Sequence, residues 1–317
     1  MGDSSSITVA ATAPAGLTPG QQAWRRFVSN RPAVAGAVLL SLLLLAILVG
    51  PSVCSHRPEA LSDALLEPPG WTHWFGTDAH GRDLLVRVLY GTRISLAVGA
   101  VGTAVSLVIG VLWGATSGYV GGRLDNVMMR IVDVLYALPS IVFVIVLITT
   151  LNGFLDRFSA RGWSPSAVHL LQLTGLFAGL GAVSWLTMAR IVRGEVLGLR
   201  HRAYVEAAVA LGAGHWHVLR RHIIPNMAGI VIVYLALTVP SVVLYESFLS
   251  FLGLGIQPPQ ASLGSLIAEG AIQINPIRVC WWLIVIPGGT LAVALLALNF
   301  LGDGLRDALS PRSDMGR

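Results

Sequence analysis

Lysine is absent: all 21 basic residues of the 317-residue chain are arginine. That excludes a phosphate-binding loop of the form G-x-x-x-x-G-K-[ST], whose lysine reaches the phosphates. Any use of ATP through such a loop has to reside on another chain. Charge of either sign is scarce, at 12% of residues, against about 25% in ordinary soluble domains. Cysteine is scarcer still. Cys54 and Cys280 are too few for a disulfide framework and form no C-x-x-C metal or redox motif. Both fall near the outer membrane surface in the topology below, and two unpaired thiols are expected. H-E-x-x-H is missing, and His215 and His217 stand two apart, on different faces of a helix. No metal site is expected, and the lack of a clustered nucleophile or acid–base pair argues against a membrane-embedded enzyme.

What is present is apolar sequence, 54% of the chain with a mean hydropathy of +0.72. It comes in blocks long enough to cross a hydrocarbon core, for which about 20 residues suffice. A large soluble core would need polar helix faces that these blocks lack. The pattern predicts an all-α, polytopic membrane protein with six spans, at 32–53 and about 94–117, 131–151, 171–190, 227–252 and 281–301. Residues 1 to about 23, rich in Ser, Thr, Ala, Pro and Gly, read as a structureless tail. "WRRFVSNR" then precedes the first apolar run; Arg25 and Arg26 resemble a targeting signal, but "PSVC" lacks the small residues of a cleavage site, so a retained first helix is expected. Six spans place both termini on one side. With the N-terminus inside, fourteen arginines face inward and seven outward, which puts the termini in the cytoplasm. The expected organisation is a cytoplasmic tail (1–31), the first span, an extracytoplasmic loop (54–92), a core of five spans (93–302) and a second cytoplasmic tail (303–317). The core includes an inner loop at 191–226.

Several local devices stand out. Gly110, Gly114 and Gly118 recur at four-residue spacing, and Gly175 and Gly179 repeat it; such small-residue ridges let helices approach closely. In "HWFGTDAHGRD", Gly76 and Gly81 suit tight turns, with Thr77 and Asp78 as candidate caps. In the next segment Leu84, Leu85, Val88 and Leu89 share one helical face and Arg82, Asp83 and Arg87 the other, which predicts a helix lying in the membrane interface. Glu246, between Tyr245 and Ser247, is an ionisable residue inside a span and therefore a candidate for the translocation path or gate. Its alternative is a salt bridge, between subunits or within the chain, the latter to Arg82, Arg87 or Arg93. Asp133 is expected to pair with Arg130 or another inner-surface arginine. "FLGLGIQPPQASLG", between the fifth and sixth spans, breaks helix geometry.

A polar interruption carries the most information. "YVEAAVALGAGHWHVLRRHIIP", residues 204–225, opens with helical composition, weakens at Gly212–Ala213–Gly214 and meets Pro225. Its alanines keep bulk low enough for a helix to lie in a partner's groove. Arg202, Glu206 and Arg221 can fix register by charge. Glu206-Ala207-Ala208, Gly212 and Pro225 at these spacings resemble the EAA loop of bacterial ABC importer permeases. "RRHIIPN", "HWFGTDAHGRDLLVRVLYGTRISL", "ESFLSFLGLGIQPP" and "LNFLGDGLRDALSPR" extend the resemblance over roughly residues 20 to 313. The chain is most similar to C-type permease subunits of the peptide/nickel importer family, dipeptide permeases above all, with oligopeptides, nickel complexes and haem as alternative cargo.

That resemblance implies the type I importer permease fold and a bacterial inner-membrane location. It implies a homologous B-type permease, two ATPase chains that hold ATP and Mg2+, and an external substrate-binding protein as partners. No cofactor is expected on this chain and no nucleic acid among its partners. It further implies that the helix around Glu206 to Gly212 seats in an ATPase cleft and that the spans rock between inward-open and outward-open states. A secondary transporter or channel is the more distant alternative, for which inverted repeats or interrupted helices around a midplane ion site would be required.

Overall fold

The computed structural model describes residues 18–53, 60–159, 164–256, 260–275 and 278–309. Cys54, the Pro-Pro pair and both chain ends therefore lie outside the described residues, while Cys280 is buried. The described residues are helical apart from turns and one isolated bridge between Thr77 and Asp83.

Helix α1 (Pro19–Ser29) replaces the last part of the expected structureless tail. Thr18 caps it in a reciprocal box with Gln21, and Pro19 occupies the first turn, where its missing N–H costs nothing. After Asn30 the chain enters α2 (Arg31–Val53), the first apolar helix. The segment that follows leads into α3 (Leu84–Val120), whose 37 residues span about 55 Å at 1.5 Å per residue. That exceeds the ~30 Å hydrocarbon core. The segment expected as a separate interfacial helix is thus the first turns of α3 itself, continuous with the span. Its polar side does not face outward either, because Asp83 and Arg87 are buried.

Gly121 ends α3, and α4 (Gly122–Tyr136) and α5 (Ser140–Ser159) follow. The expected span at 131–151 straddles their junction, where the axis bends by 91°. Pro139 accounts for the break: it disfavours helical geometry at Leu138 and offers no donor of its own. Next come α6 (Pro165–Leu199), the short helices α7 (Ala203–Ala210) and α8 (His215–Val218), and a π-helical turn (Leu219–Ile223). Then α9 (Ile224–Phe251), α10 (Leu263–Ile272) and α11 (Trp282–Leu309) complete the order. Pro225 does not interrupt the path, since His215–Phe251 runs on as one 37-residue apolar helical segment. The π turn absorbs the proline: Ile224 N–H bonds the Leu219 carbonyl, and Asn226 Nδ2 donates to the His222 carbonyl at 2.6 Å.

Among the described residues four segments, Arg31–Gly50, Leu84–Val120, His215–Phe251 and Trp282–Leu309, are each long and apolar enough to cross a membrane. The bent α4–α5 pair makes a fifth if counted as one span.

The packing centre is the α3–α6 contact. A Cβ at Gly110 would stand 2.6 Å from Met188 Cβ, one at Gly114 would overlap the Ala189 carbonyl, and one at Gly118 would stand 2.9 Å from the Arg193 carbonyl. The glycine ridge therefore carries α6 at backbone contact. At its Gly118 end Arg193 donates two bonds of 2.6 Å to the Asp125 carboxylate, which also accepts from Ser117 Oγ. This clamp ties α3, α4 and α6 together. Asp133 pairs with Arg190 at 2.8 Å, an arginine other than Arg130.

Candidate functional site

Two regions hold the candidate residues. The first is α7 with the turn after it. Leu211 and Gly212 stop the helix by sequence: Gly212 takes φ +86°, the left-handed region in which a Cβ is strained. Gly212 N–H then reaches the Val209 carbonyl at 2.9 Å and Ala213 N–H the Ala208 carbonyl at 3.0 Å. This pair of bonds is a Schellman stop that satisfies two otherwise orphaned carbonyls. Space around Gly212 is open, with no heavy atom within 4 Å of an added Cβ.

Only one face of α7 is anchored. Val205 is buried in a cluster with Ala115 of α3, Val192 and Val196 of α6, and Val218, Ile223 and Met227 on the path into α9. Arg202, Glu206, Ala207 and Gly212 are exposed and Ala208 is half-buried. Leu211 is 89% exposed, an unusual position for a leucine next to a helix with apolar anchoring available. A shallow open groove of about 720 Å³, lined in part by Tyr204, Ala207, Leu211, His217 and His222, runs beneath the helix. Arg221 and Pro225 border a second open groove with Trp216 and Arg220. The structure thus brings Glu206, Ala207, Ala208 and Gly212 onto one small exposed element, and sets Arg221 and Pro225 beside it. Glu206 lies 3.9 Å from His201 Nδ1, both exposed.

The second region surrounds Glu246, which has no exposed surface. Its Oε2 accepts from Ser95 Oγ at 2.9 Å and Ser247 Oγ at 3.4 Å, and its Oε1 accepts from Ser250 Oγ at 2.7 Å. Hydroxyls rather than a guanidinium satisfy this carboxylate, so the expected salt bridge to Arg82, Arg87 or Arg93 is not made. Two of the serines go on to hold backbone: Ser95 Oγ accepts from Leu263 N–H at 3.2 Å and Ser250 Oγ from Ile256 N–H at 3.1 Å. Glu246 is consequently a node joining α3, α9 and the returning segment before α10. Tyr245 turns the other way, into the cluster of Val98, Val144, Ile148 and Leu180, so Tyr245 and Glu246 do not line one surface.

Two of the arginines sought for Glu246, Arg82 and Arg87, are engaged elsewhere, and Arg93 is exposed. Arg87 binds Glu269 through two bonds of 2.6 and 3.0 Å and Asp78 through one of 2.7 Å. Arg82 Nε adds a 2.6 Å bond to Asp78. Asp78 closes its own turn by accepting from the backbone N–H groups of His80 and Arg82, while Asp83 is the actual cap of α3, accepting from Leu85 and Val86 N–H. Burial alone would raise the Asp78 carboxyl; the two backbone N–H groups and the charges of Arg87 and Arg82 outweigh it and hold the group below the ordinary carboxylate value. This cluster locks the segment before α3 to α10. Glu269 lies 182 residues from Arg87, and no local pattern announces such a pairing. A usable signal did exist in the chain: an arginine inside an apolar helix needs a carboxylate, and few are available.

Residues 106–314 match the family model described as binding-protein-dependent transport system inner membrane component. Residues 18–69 match that of the N-terminal TM domain of oligopeptide transport permease C. Among curated relatives, the oligopeptide transport system permease protein OppC of Haemophilus influenzae is 43% identical over 298 residues, covering 92% of this chain and 88% of the relative. The protein of the same name from Escherichia coli K12 is 43% identical over 92% and 91% of the two chains. The dipeptide transport system permease protein DppC of Bacillus subtilis is 40% identical over 93% and 87%.

Proposed function

The chain belongs to the family of binding-protein-dependent transport system inner membrane components, and from that premise we propose that it is the C-type permease subunit of an ATP-driven importer of short peptides. It sits in the bacterial inner membrane with six crossings, made by α2, α3, the α4–α5 pair, α6, α9 and α11, and keeps both termini in the cytoplasm. A B-type permease completes the pathway, an external binding protein delivers the peptide, and two ATPase chains hold ATP and Mg2+. The chain itself catalyses no reaction.

The observation that carries this reading is the mechanical setting of α7. It is a small, exposed, alanine-rich helix, stopped by Gly212 and rooted through Val205 in a cluster shared by α3, α6 and α9. A partner's groove can accept its low outer face. Any displacement of it is passed to three long helices rather than lost in a flexible loop. The helix bundle then acts as a two-state element whose balance follows the nucleotide state of another chain. Outside, the Glu246 node and the Arg87–Glu269 lock bind the returning segment and the outer loop to the same helices, so that outer and inner ends move together.

Relatives named for oligopeptide and for dipeptide transport both match this chain. Dipeptides remain the proposed cargo, with longer peptides the alternative, and nickel complexes or haem behind them. Purification of the complex from membranes tests the core of the proposal. The wild-type chain is expected to bring ATPase chains with it, and Gly212→Arg or Glu206→Lys to remain in the membrane but lose them or hydrolyse ATP without uptake. Normal substrate-stimulated uptake by both variants sinks the assignment.

A further inference from the structure

An open apolar groove runs along the first spanning helix with a cation at its head. Val28 of α1 and Arg31, Val34, Ala35, Val38, Leu39 and Leu42 of α2 line a depression of about 550 Å³. The apolar positions recur at three- and four-residue steps, so they form one stripe along α2. From Arg31 to Leu42 the stripe is about 16 Å long at 1.5 Å per residue, which matches one leaflet of a ~30 Å hydrocarbon core. The opposite face of α2 is already filled: Ala33 is buried, and a Cβ on Gly36 would stand 2.7 Å from Phe300.

The head of the groove is electropositive and unbalanced. Arg31 is exposed and pairs with no carboxylate among the described residues. Asp307 of α11 accepts from Asn30 Nδ2 at 3.1 Å and makes no ion pair with Arg31. Asp303 is exposed on the same helix, α11, and makes no ion pair with Arg31. Helix α1 adds an exposed Arg25, and its Trp24, 67% exposed, stacks on Phe27 with ring centroids 6.1 Å apart. A tryptophan beside arginines at the end of an apolar stripe is the arrangement that settles at the boundary between headgroups and acyl chains.

We propose that this groove binds an anionic phospholipid, with its phosphate on Arg31, and Arg25 close by, and one acyl chain along Val34, Val38 and Leu42. Charge complementarity sets the choice of occupant. A zwitterionic lipid fills the stripe equally well but leaves the two cations less compensated, and an apolar helix of a partner permease leaves them without a counter-charge. The site rests on α2 crossing the bilayer and is independent of which cargo the complex carries.

The assembled complex, reconstituted in phosphatidylcholine vesicles with a minor fraction of phosphatidylglycerol, provides the test. Each lipid in turn carries a photoreactive acyl chain, and labelled peptides are mapped by mass spectrometry. The expected result is labelling within residues 28–42 that favours phosphatidylglycerol over phosphatidylcholine by about fivefold, the preference that one basic residue near an anionic headgroup confers. Arg31→Gln is expected to lose that preference while phosphatidylcholine labelling stays the same, and Arg31→Lys to keep most of it. Should Arg31→Gln fail to accumulate, raising the salt concentration on the wild-type complex is expected to erode the preference without reducing phosphatidylcholine labelling. Equal labelling by the two lipids overturns the proposal. So does an unchanged preference in Arg31→Gln, a salt-independent preference, or absence of lipid label with cross-linking of Val38 or Leu42 to the partner permease.

Discussion

Gly212 permits a sharp test, because its environment separates backbone strain from crowding. Its φ of +86° is needed for the two bonds that end α7, yet a Cβ there meets no heavy atom within 4 Å. A substitution is therefore penalised by conformation alone. A β-carbon in the left-handed region costs about 1–2 kcal/mol, which shifts the balance between the stopped and unravelled helix end by roughly 5–30-fold. Asparagine tolerates this region, alanine less so, and a β-branched residue least. The expected order of retained coupling is Gly212→Asn, then Gly212→Ala, then Gly212→Val. The assay is peptide uptake by proteoliposomes containing the whole complex, with ATP hydrolysis measured in parallel to separate uncoupling from failed assembly. Full coupling in Gly212→Val refutes the reasoning, as does equal damage by asparagine and valine, since size and not backbone sign would then decide.

Arg87→Gln is expected to leave Glu269 without its two-bond partner and Asp78 with Arg82 as its remaining cation, and to destabilise the 60–83 loop by about 1.5–3 kcal/mol, read as faster proteolysis between residues 60 and 83; unchanged protection contradicts the lock. Asp78 titrates below its ordinary value of 3.8, so its contribution is fully present above that pH and disappears as the pH falls through the lower folded value. Loop protection followed by hydrogen exchange is accordingly expected to be flat from neutral pH to about pH 5 and to decline only in stronger acid, and Asp78→Asn should remove that acid limb; a decline centred near pH 6 contradicts the assignment. Gly114→Val places its side chain against the Ala189 carbonyl and Val192, an overpacking of about 1–3 kcal/mol. Thermal unfolding of the purified complex should fall by several degrees, while Gly198→Ala, in open space on α6, should leave it unchanged; an unaltered midpoint for the valine variant argues against backbone contact at the ridge.

Much of this organisation could be read from the chain, and the failures share a cause. Spans announce themselves because the hydrocarbon core imposes a length and a polarity on contiguous residues. The stop at Gly212 was visible for a similar reason, since glycine after an alanine-rich helical stretch is a local signal. The capped start of α1 was local too: Thr18-Pro19 with Gln21 three residues past the cap is a helix opening. It was hidden by the tail composition around it. The Pro139 break was equally local and lost inside an apolar run. The partners of Glu246 and Arg87 were of another kind. Ser95 lies 151 residues from Glu246, and a serine in a membrane helix attracts no notice until a carboxylate faces it. Arg87 has the spacing of an outward polar face, and only the placement of α10 turns that face inward. Periodicity ranks the faces of a helix but does not identify what packs on them.

Transport by the reconstituted complex decides the central claim. Proteoliposomes holding this chain, its B-type partner and the two ATPases, with binding protein outside and ATP sealed inside, are given a radiolabelled dipeptide. The account predicts accumulation against a gradient that requires both ATP and the binding protein and is abolished by Glu206→Lys in this chain alone. Accumulation that proceeds without ATP, driven by an ion gradient, or that is indifferent to Glu206→Lys, would contradict it.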